Sequence, residues 1–351
     1  MPFPLLSIIV SQPTEISAVG SASGLGPEGP GFESRISDNR SMNHTTFVVY
    51  FDAPEPMGYP FDEYNYFLSY LGFSEHCARQ GVDLYIVRGP ESYLGQMRFR
   101  SGWKFDGERL LPVAEPIQAD VVYVKGSTLH TEPTAVRVNA AELMDICADK
   151  LKTYGLFREY MAKTAPLPAD HWQETIKNFP SDLLVLKPVT GMEGHGIQVI
   201  SKEHFQYDQL DPHYAPYLVQ EFIDCSTGMP GLVEGRHDLR LYIFNGVAKL
   251  AEYRRPKPNG YLANIAQGGS LTVLKMNQVP QWALDFVPNI DKHFQKFFPR
   301  IYTIDLMYAY GRPYLVELNS RPGLPFREWS YYDELHSYIF ETLASAIAGT
   351  P

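Results

Sequence analysis

The sequence predicts an α/β amino-terminal domain followed by α+β domains that fill the rest of the chain. Three observations carry this. Strand and helix patterns alternate from Thr45 to Val124; beyond Ala140 strand patterns follow one another across short turns; and residues 11–41 have no periodic apolar pattern. At 351 residues the chain exceeds an ordinary single domain, so two or three packed units are expected.

Residues 1–41, with a stretch rich in Ser, Gly, Pro and Glu, read as a disordered leader, and Met42 reads as a candidate natural start. The amino-terminal α/β domain spans 42–139. In it TFVVYF at 46–51 is a buried-strand pattern, Phe61 to Gln80 has helix-spaced apolar residues, and DLYIV at 83–87 is again strand-like after Gly81. A polar, aromatic-rich stretch at 93–109 leads to a further strand, DVVYV, at 120–124. This alternation implies an open, mostly parallel sheet.

A second unit is read at 140–225 and a third at 226–351. One helix is expected over 141–161, ending before Pro166 and Pro168. Strands are expected at 183–189, 197–200, 217–223, 238–244, 247–254, 301–308 and 313–318, with helices at 281–298 and 331–347. The turns Asn245-Gly246 and Tyr310-Gly311-Arg312 suggest antiparallel hairpins.

The net charge of −10 argues against nucleic acid as a partner, since such binding needs cations on phosphates. No apolar run is long enough to span a membrane. Cys77, Cys147 and Cys225 are widely separated, offer no zinc spacing, and suit a reducing cytosol as small core residues, so a cytoplasmic protein is expected.

Four segments carry chemistry. In LLVLKPVTGMEGHGIQVI, Lys187 precedes a glycine-rich turn at Gly191, Gly194 and Gly196 that could close backbone N–H groups over a phosphate; an ordinary glycine-rich hairpin is the alternative. The order lysine, glycines, strand fits neither a Walker nor a Rossmann fingerprint. Asp305, Glu317 and Asn319 are hard oxygen donors on strands that the intervening turn folds together, which suits magnesium on phosphates. Asp238 and Arg240 share one strand face, and Arg254, Arg255 and Asn264 follow; arginines of this kind neutralise a transferring phosphoryl group or form plain salt bridges. YLVQEFI at 217–223 is an apolar strand whose backbone could read an adenine edge, or an edge strand with one exposed acid.

Read in order, DKLKTYGLF, LVLKPVTGMEGHGI, YLVQEFI, HDLRLYIFNG, YRRP, NIAQGG and IDLMYAYGRPYLVELNSRPG resemble the ATP-grasp superfamily. The likeness is strongest to its branch of glutathione synthetases and ribosomal-protein glutamate ligases, and it covers about Ala148 to Gly323. It implies two subdomains clasping ATP and a ligase that joins a carboxylate to an amine through an acyl phosphate.

The resemblance assigns Lys150 and Lys187 to ATP phosphates, Glu221, Phe222 and Ile223 to the adenine hinge, Asp238 to the ribose and Asn264 to the phosphates. Leu262 and Ala263 lack the polar character seen there in some relatives. It assigns Asp305, Glu317 and Asn319 to one or two magnesium ions, with manganese as an alternative, and Arg240 with Arg254 or Arg255 to the reacting centre.

Arg321 and Arg327 are candidates for gripping a substrate carboxylate. The aromatic residues Tyr59, Phe61, Tyr64, Tyr66 and Phe67 read as packing or as a substrate surface. Substrates are expected to be a small carboxylate and an amine, either amino acid or peptide, and a homodimer is left open. Two other classes stay in view: a silent ATP-binding scaffold, and an ATP-grasp phosphotransferase using a histidine, for which His195 in the glycine loop is the nearest residue.

Overall fold

The apolar run TTFVVYF forms β1 (Thr45–Phe51), buried from Phe47 onward on both faces, as a central parallel strand must be. α1 (Tyr64–Arg79) follows, and β2 (Val82–Arg88) returns parallel to β1. This computed structural model describes residues 44–349 except 56 and 192; the expected leader and the candidate start at Met42 lie outside the described residues.

The stretch read only as polar and aromatic, together with the residues that follow it to 118, forms five short strands. β3 (Tyr93–Gly95), β4 (Arg98–Phe99) and β7 (Ile117–Gln118) make a small sheet, while β5 (Gly102–Asp106) and β6 (Arg109–Val113) form a hairpin antiparallel to β2. β8 (Val121–Val124) runs parallel to β1, and β9 (Arg137–Val138) parallel to β8. The sheet order β6-β5-β2-β1-β8-β9 is a parallel core with an antiparallel hairpin on one edge.

Asn139 leaves this sheet fully buried and ties it to the rest. Its carboxamide oxygen accepts from the Ile301 N–H at 2.7 Å, and its nitrogen donates to the Ile301 and Ser320 carbonyls, each at 2.6 Å. The single helix expected over 141–161 is two, α2 (Ala141–Ala148) and α3 (Lys150–Phe157). Asp149 breaks it: its backbone is extended, and its carboxylate accepts from the Leu151 and Lys152 N–H groups as an N-cap.

A four-stranded antiparallel sheet comprises β10 (Thr164–Pro166), β11 (Leu183–Pro188), β12 (Gln198–Ser201) and β13 (Tyr217–Glu221), in the order β10-β13-β11-β12. α4 (Trp172–Lys177) covers its apolar face over Leu184, Leu186 and Val219.

The larger antiparallel sheet holds β14 (Asp238–Phe244), β15 (Val247–Arg255), β16 (Ser270–Leu274), β17 (Ile301–Ala309) and β18 (Arg312–Asn319), ordered β16-β15-β14-β17-β18. Both hairpins fall at the expected turns, where Asn245-Gly246 and Tyr310-Gly311 take positive φ. Leu143, Cys147 and Phe157 of α2 and α3 pack on this sheet with Leu239, Ile304 and Leu318.

α5 (Gln281–Asp291) is shorter than the helix expected to reach 298. At its end Asp291 turns to a buried ion pair with Arg300 and accepts the Tyr302 hydroxyl at 3.0 Å. α6 (Tyr332–Ala348) crosses back, and its Leu335, Ile339 and Leu343 pack against Phe47, Val49 and Tyr123 of the first sheet. All three cysteines are buried and unpaired, consistent with a packing role. No described helix is long and apolar enough to cross a membrane.

Candidate active site

One face of the five-stranded sheet carries charge where its other face carries core. Register puts Glu252 of β15 opposite Arg240 of β14, Arg240 opposite Asp305 of β17, and Asp305 opposite Glu317 of β18. A neighbouring pair sets Arg254 opposite Asp238. The period of two along each strand therefore gathers the predicted arginines and acids into one row.

Their hydrogen bonds are bidentate. Arg240 donates to both oxygens of Asp305 at 2.8 and 2.7 Å, and Arg254 donates to both oxygens of Asp238 at 2.7 and 2.8 Å. Arg254 also reaches Asp305 at 2.8 Å. Burial opposes ionisation of Asp305, but the two guanidiniums outweigh it and hold the carboxyl down at about 2. Glu252, also buried, accepts the Tyr331 hydroxyl at 2.7 Å, and burial raises its carboxyl against the pull of Arg240 and Arg254. Of the two adjacent arginines, Arg254 is the inward one. Arg255 lies on the other face and is exposed.

Across a cleft from this row stands one face of the four-stranded sheet, with Val185 and Lys187 of β11, Val199 of β12 and Gln220 of β13. Lys187 of β11 and Lys150 at the start of α3 both line the cleft, with Glu221, Phe222 and Ile223 just at and after the end of β13. Asp238, Arg254, Asn264, Asp305 and Glu317 line the opposite side, and Val185, Val199, Met307 and Leu315 supply apolar walls. Lys150 Nζ lies 3.7 Å from Glu317 Oε1 and donates to the Gly191 carbonyl at 3.1 Å. Burial draws Lys187 down to about 8, with Glu317 opposing and Lys150 adding to the fall.

The glycine loop leaves β11 and touches both sides. Gly196 takes φ 71°, and a Cβ there would meet Pro188 and Tyr214 at 2.8 Å, so the turn requires glycine. The Asn264 carboxamide lies against Gly194, and Gln267 donates to the Glu193 carbonyl at 3.3 Å. Tyr59, from the amino-terminal domain, donates to Glu193 Oε1 at 3.4 Å, and its ring packs edge-on to Tyr66. Of the aromatic residues singled out there, Phe61 is core while Tyr59 and Tyr64 are exposed. His195 is exposed, with Glu193 3.6 Å away.

Asn319 ends β18, and its side-chain oxygen accepts the Arg321 N–H at 2.9 Å. Glu317 is paired with Asp305 across the hairpin and Asn319 with Thr303, two positions along, so the register places two carboxylates and one carboxamide close together on neighbouring strands. This donor set fits a hard divalent cation: among the described residues Glu317 has one ion pair, the 3.7 Å contact with Lys150, and Asp305 Oδ1 accepts a single bond. Among the described residues no group of three or more His, Cys, Asp and Glu side chains is placed to hold a metal ion. Arg327 is exposed beside Tyr332.

Sequence reading missed Glu252 and Tyr261. Tyr261 stands edge-on to Phe222 at 5.4 Å under the Arg236 guanidinium. Glu252 had a detectable signal, an acid within the apolar run of β15 facing Arg240.

Comparison with known proteins agrees with this architecture. A family model described as an ATP-grasp domain matches residues 147–251. A probable alpha-L-glutamate ligase of Psychromonas ingrahamii is 25% identical over 283 residues, covering 75% of this chain and 87% of the relative. One of Shewanella halifaxensis is 27% identical over 145 residues, 40% of this chain and 28% of the relative.

Among solved structures, D-alanine–D-alanine ligase from Bacillus anthracis superposes with a TM-score of 0.57 at 13% identity, covering 87% of this chain and 99% of the other. A RimK-domain ATP-grasp protein from Sphaerobacter thermophilus gives 0.53 at 13% identity, covering 86% and 100%. Residues 147–251 thus match an ATP-grasp domain, and the chain shares its fold with ATP-grasp ligases and is similar in sequence to probable alpha-L-glutamate ligases.

Proposed function

We propose that the chain activates a substrate carboxylate with ATP and couples it to an amine, releasing ADP and phosphate. The observation that carries this reading is the convergence in one cleft of Lys150 and Lys187 with Asp305 and Glu317, beside the backbone of Glu221, Phe222 and Ile223. Cations and acids so arranged suit a nucleotide polyphosphate with a divalent ion, and the apolar walls suit a purine ring.

Lys150 and Lys187 hold the phosphates, backbone groups at 221–223 meet the adenine edge, and Asp238 lies toward the ribose. Asn264 and the glycine loop at Gly191, Gly194 and Gly196 cover the phosphates. Asp305, Glu317 and Asn319 would hold one or two magnesium ions, which supply neutralisation of phosphate charge. Arg240 and Arg254 fix Asp305 as an ionised ligand and carry positive charge at the reacting centre.

The carboxylate oxygen forms a bond to the γ-phosphorus as the bond to the bridging oxygen of ADP breaks. The amine then attacks the acyl carbon, the C–O bond to phosphate breaks, and the amine proton passes to solvent or phosphate. Closure of the glycine loop, which Tyr59 and Gln267 contact at Glu193, excludes water from the acyl phosphate. The names of the ligase relatives support an amino acid or peptide as the substrate class.

Incubation with ATP, magnesium and pooled amino acids and dipeptides tests this. Equimolar ADP and phosphate with a new amide by mass spectrometry is the expected result. ATP binding without turnover in every pool would overturn it.

A further inference from the structure

The amino-terminal sheet has a topological switch point. β1 lies between β2 and β8, so the chain leaves β1 toward one side and later returns to the other. Crevices at the carboxyl ends of strands at such points are where open α/β sheets bind ligands. Lys125 is the first residue after β8, its N–H donating to the Tyr50 carbonyl at 2.9 Å.

The loop that carries Lys125 is fixed. Asp52, just after β1, accepts from the N–H and hydroxyl of Ser127 at 2.6 and 2.9 Å and from those of Thr128 at 2.9 and 2.6 Å. A Cβ on Gly126 would fall 2.1 Å from Asp52 Oδ1, so only glycine lets this clasp form. All four donors use the one acid of this loop cluster. None of it is left for Lys125.

From this base the Lys125 ammonium stands 4.9 Å from the Tyr123 ring centroid and donates to the Pro322 carbonyl, in the turn after Asn319. Arg321 in that turn donates to the Lys125 carbonyl at 3.4 Å, while its own N–H is held by Asn319. Two cations from segments 196 residues apart thus meet beside the end of β18. Neither has a carboxylate within ion-pair distance among the described residues, unlike Arg240, Arg254, Lys150 and Arg300. Burial, then Arg321, draws Lys125 down to about 7, with no acid opposing.

We propose that Lys125 and Arg321 form the subsite for the free α-carboxylate of the amine substrate, an amino acid or the carboxyl end of a peptide. This rests on the ligation reading above. The carboxylate to be phosphorylated belongs at the Glu317 and Arg240 row; an amine substrate that carries an α-carboxylate needs separate cations, and these two have no acid partner among the described residues. The subsite adjoins Asn319, so an amine anchored there stands next to the reacting centre. Gly323 in the same turn leaves room beside the Tyr66 ring, where a Cβ would already be in contact at 3.6 Å.

The test compares each of the twenty amino acids as acceptor with its α-amide, in wild type, Lys125→Met and Lys125→Arg, using the donor found by the pooled assay. A dipeptide and its carboxyl-terminal amide form a second arm, which separates a free amino acid from a peptide terminus. Lys125→Met is expected to raise KM for the free-acid acceptor about 10- to 100-fold with kcat little changed, and Lys125→Arg to recover most of it.

The α-amide should bind wild type poorly and lose little more in Lys125→Met. Magnesium-ATP affinity, measured by titration calorimetry, should be the same in all three proteins. An unchanged acceptor KM in Lys125→Met, a rise confined to the donor, or equal KM for acid and amide in wild type would each overturn the subsite. Absence of any ADP or amide from wild type would instead overturn the ligation reading on which it rests.

Discussion

Across the five-stranded sheet each buried cation meets an anion: Arg240 and Arg254 share Asp305, and Arg254 also holds Asp238. At the carboxyl ends of β1 and β8 the opposite holds, since among the described residues the Lys125 and Arg321 side chains have no ion pair and donate to carbonyl oxygens. Saturated charges fix geometry, because moving either partner would leave a buried charge uncompensated. Unsaturated ones keep an attraction for a ligand. On this contrast we propose Arg240 and Arg254 as first of all positioning residues for Asp305, and Lys187, also free of an ion pair among the described residues, as a binding residue.

The sharpest way to break the saturated side is Arg254→Met. It strips Asp238 of both its guanidinium contacts and Asp305 of one, and should cost about 3–5 kcal/mol in urea unfolding. Loss within about 0.5 kcal/mol would show that the row is not held by its ion pairs.

On the binding side, Lys187→Ala, Glu317→Ala and Asn319→Ala should each lower kcat by about 10²–10³-fold while the thermal midpoint stays near that of wild type. Full activity in Glu317→Ala would remove the metal assignment.

A smaller effect concerns a third kind of buried group, one with no charge to pair. His336 on α6 lies between the Tyr332 and Phe73 rings, its Nε2 without a partner, and burial draws it from 6.5 to about 3. The folded protein keeps it neutral while the unfolded chain takes a proton below about 6.5. Its contribution is therefore complete above that pH and declines on acidification toward 3, by up to about 1.4 kcal/mol per pH unit. His336→Phe should flatten the fall in thermal midpoint between pH 7 and pH 5; identical slopes in both proteins would contradict this.

Much of the saturated row could be read from sequence because it is local in pattern. Asn245-Gly246 and Tyr310-Gly311 announce two hairpins, and the period of two then places Asp238 with Arg240 and Glu317 with Asn319 on common faces. Register across strands is what sequence does not print, so the choice between Arg254 and Arg255, and the place of Glu252, waited for the fold. The helix over 141–161 was misread because apolar spacing continues smoothly across Asp149, whose side chain caps a new helix instead of extending the old. Lys125 was invisible for a different reason: it follows an ordinary apolar strand, and its partners Arg321 and Pro322 are brought to it only by tertiary packing.

The central claim is that a substrate carboxylate is phosphorylated before an amine displaces the phosphate. Turnover with the donor carboxylate labelled with oxygen-18 tests it most directly. Phosphate carrying one labelled oxygen, formed in step with the amide, is the predicted result. Unlabelled phosphate accompanying amide formation would contradict it.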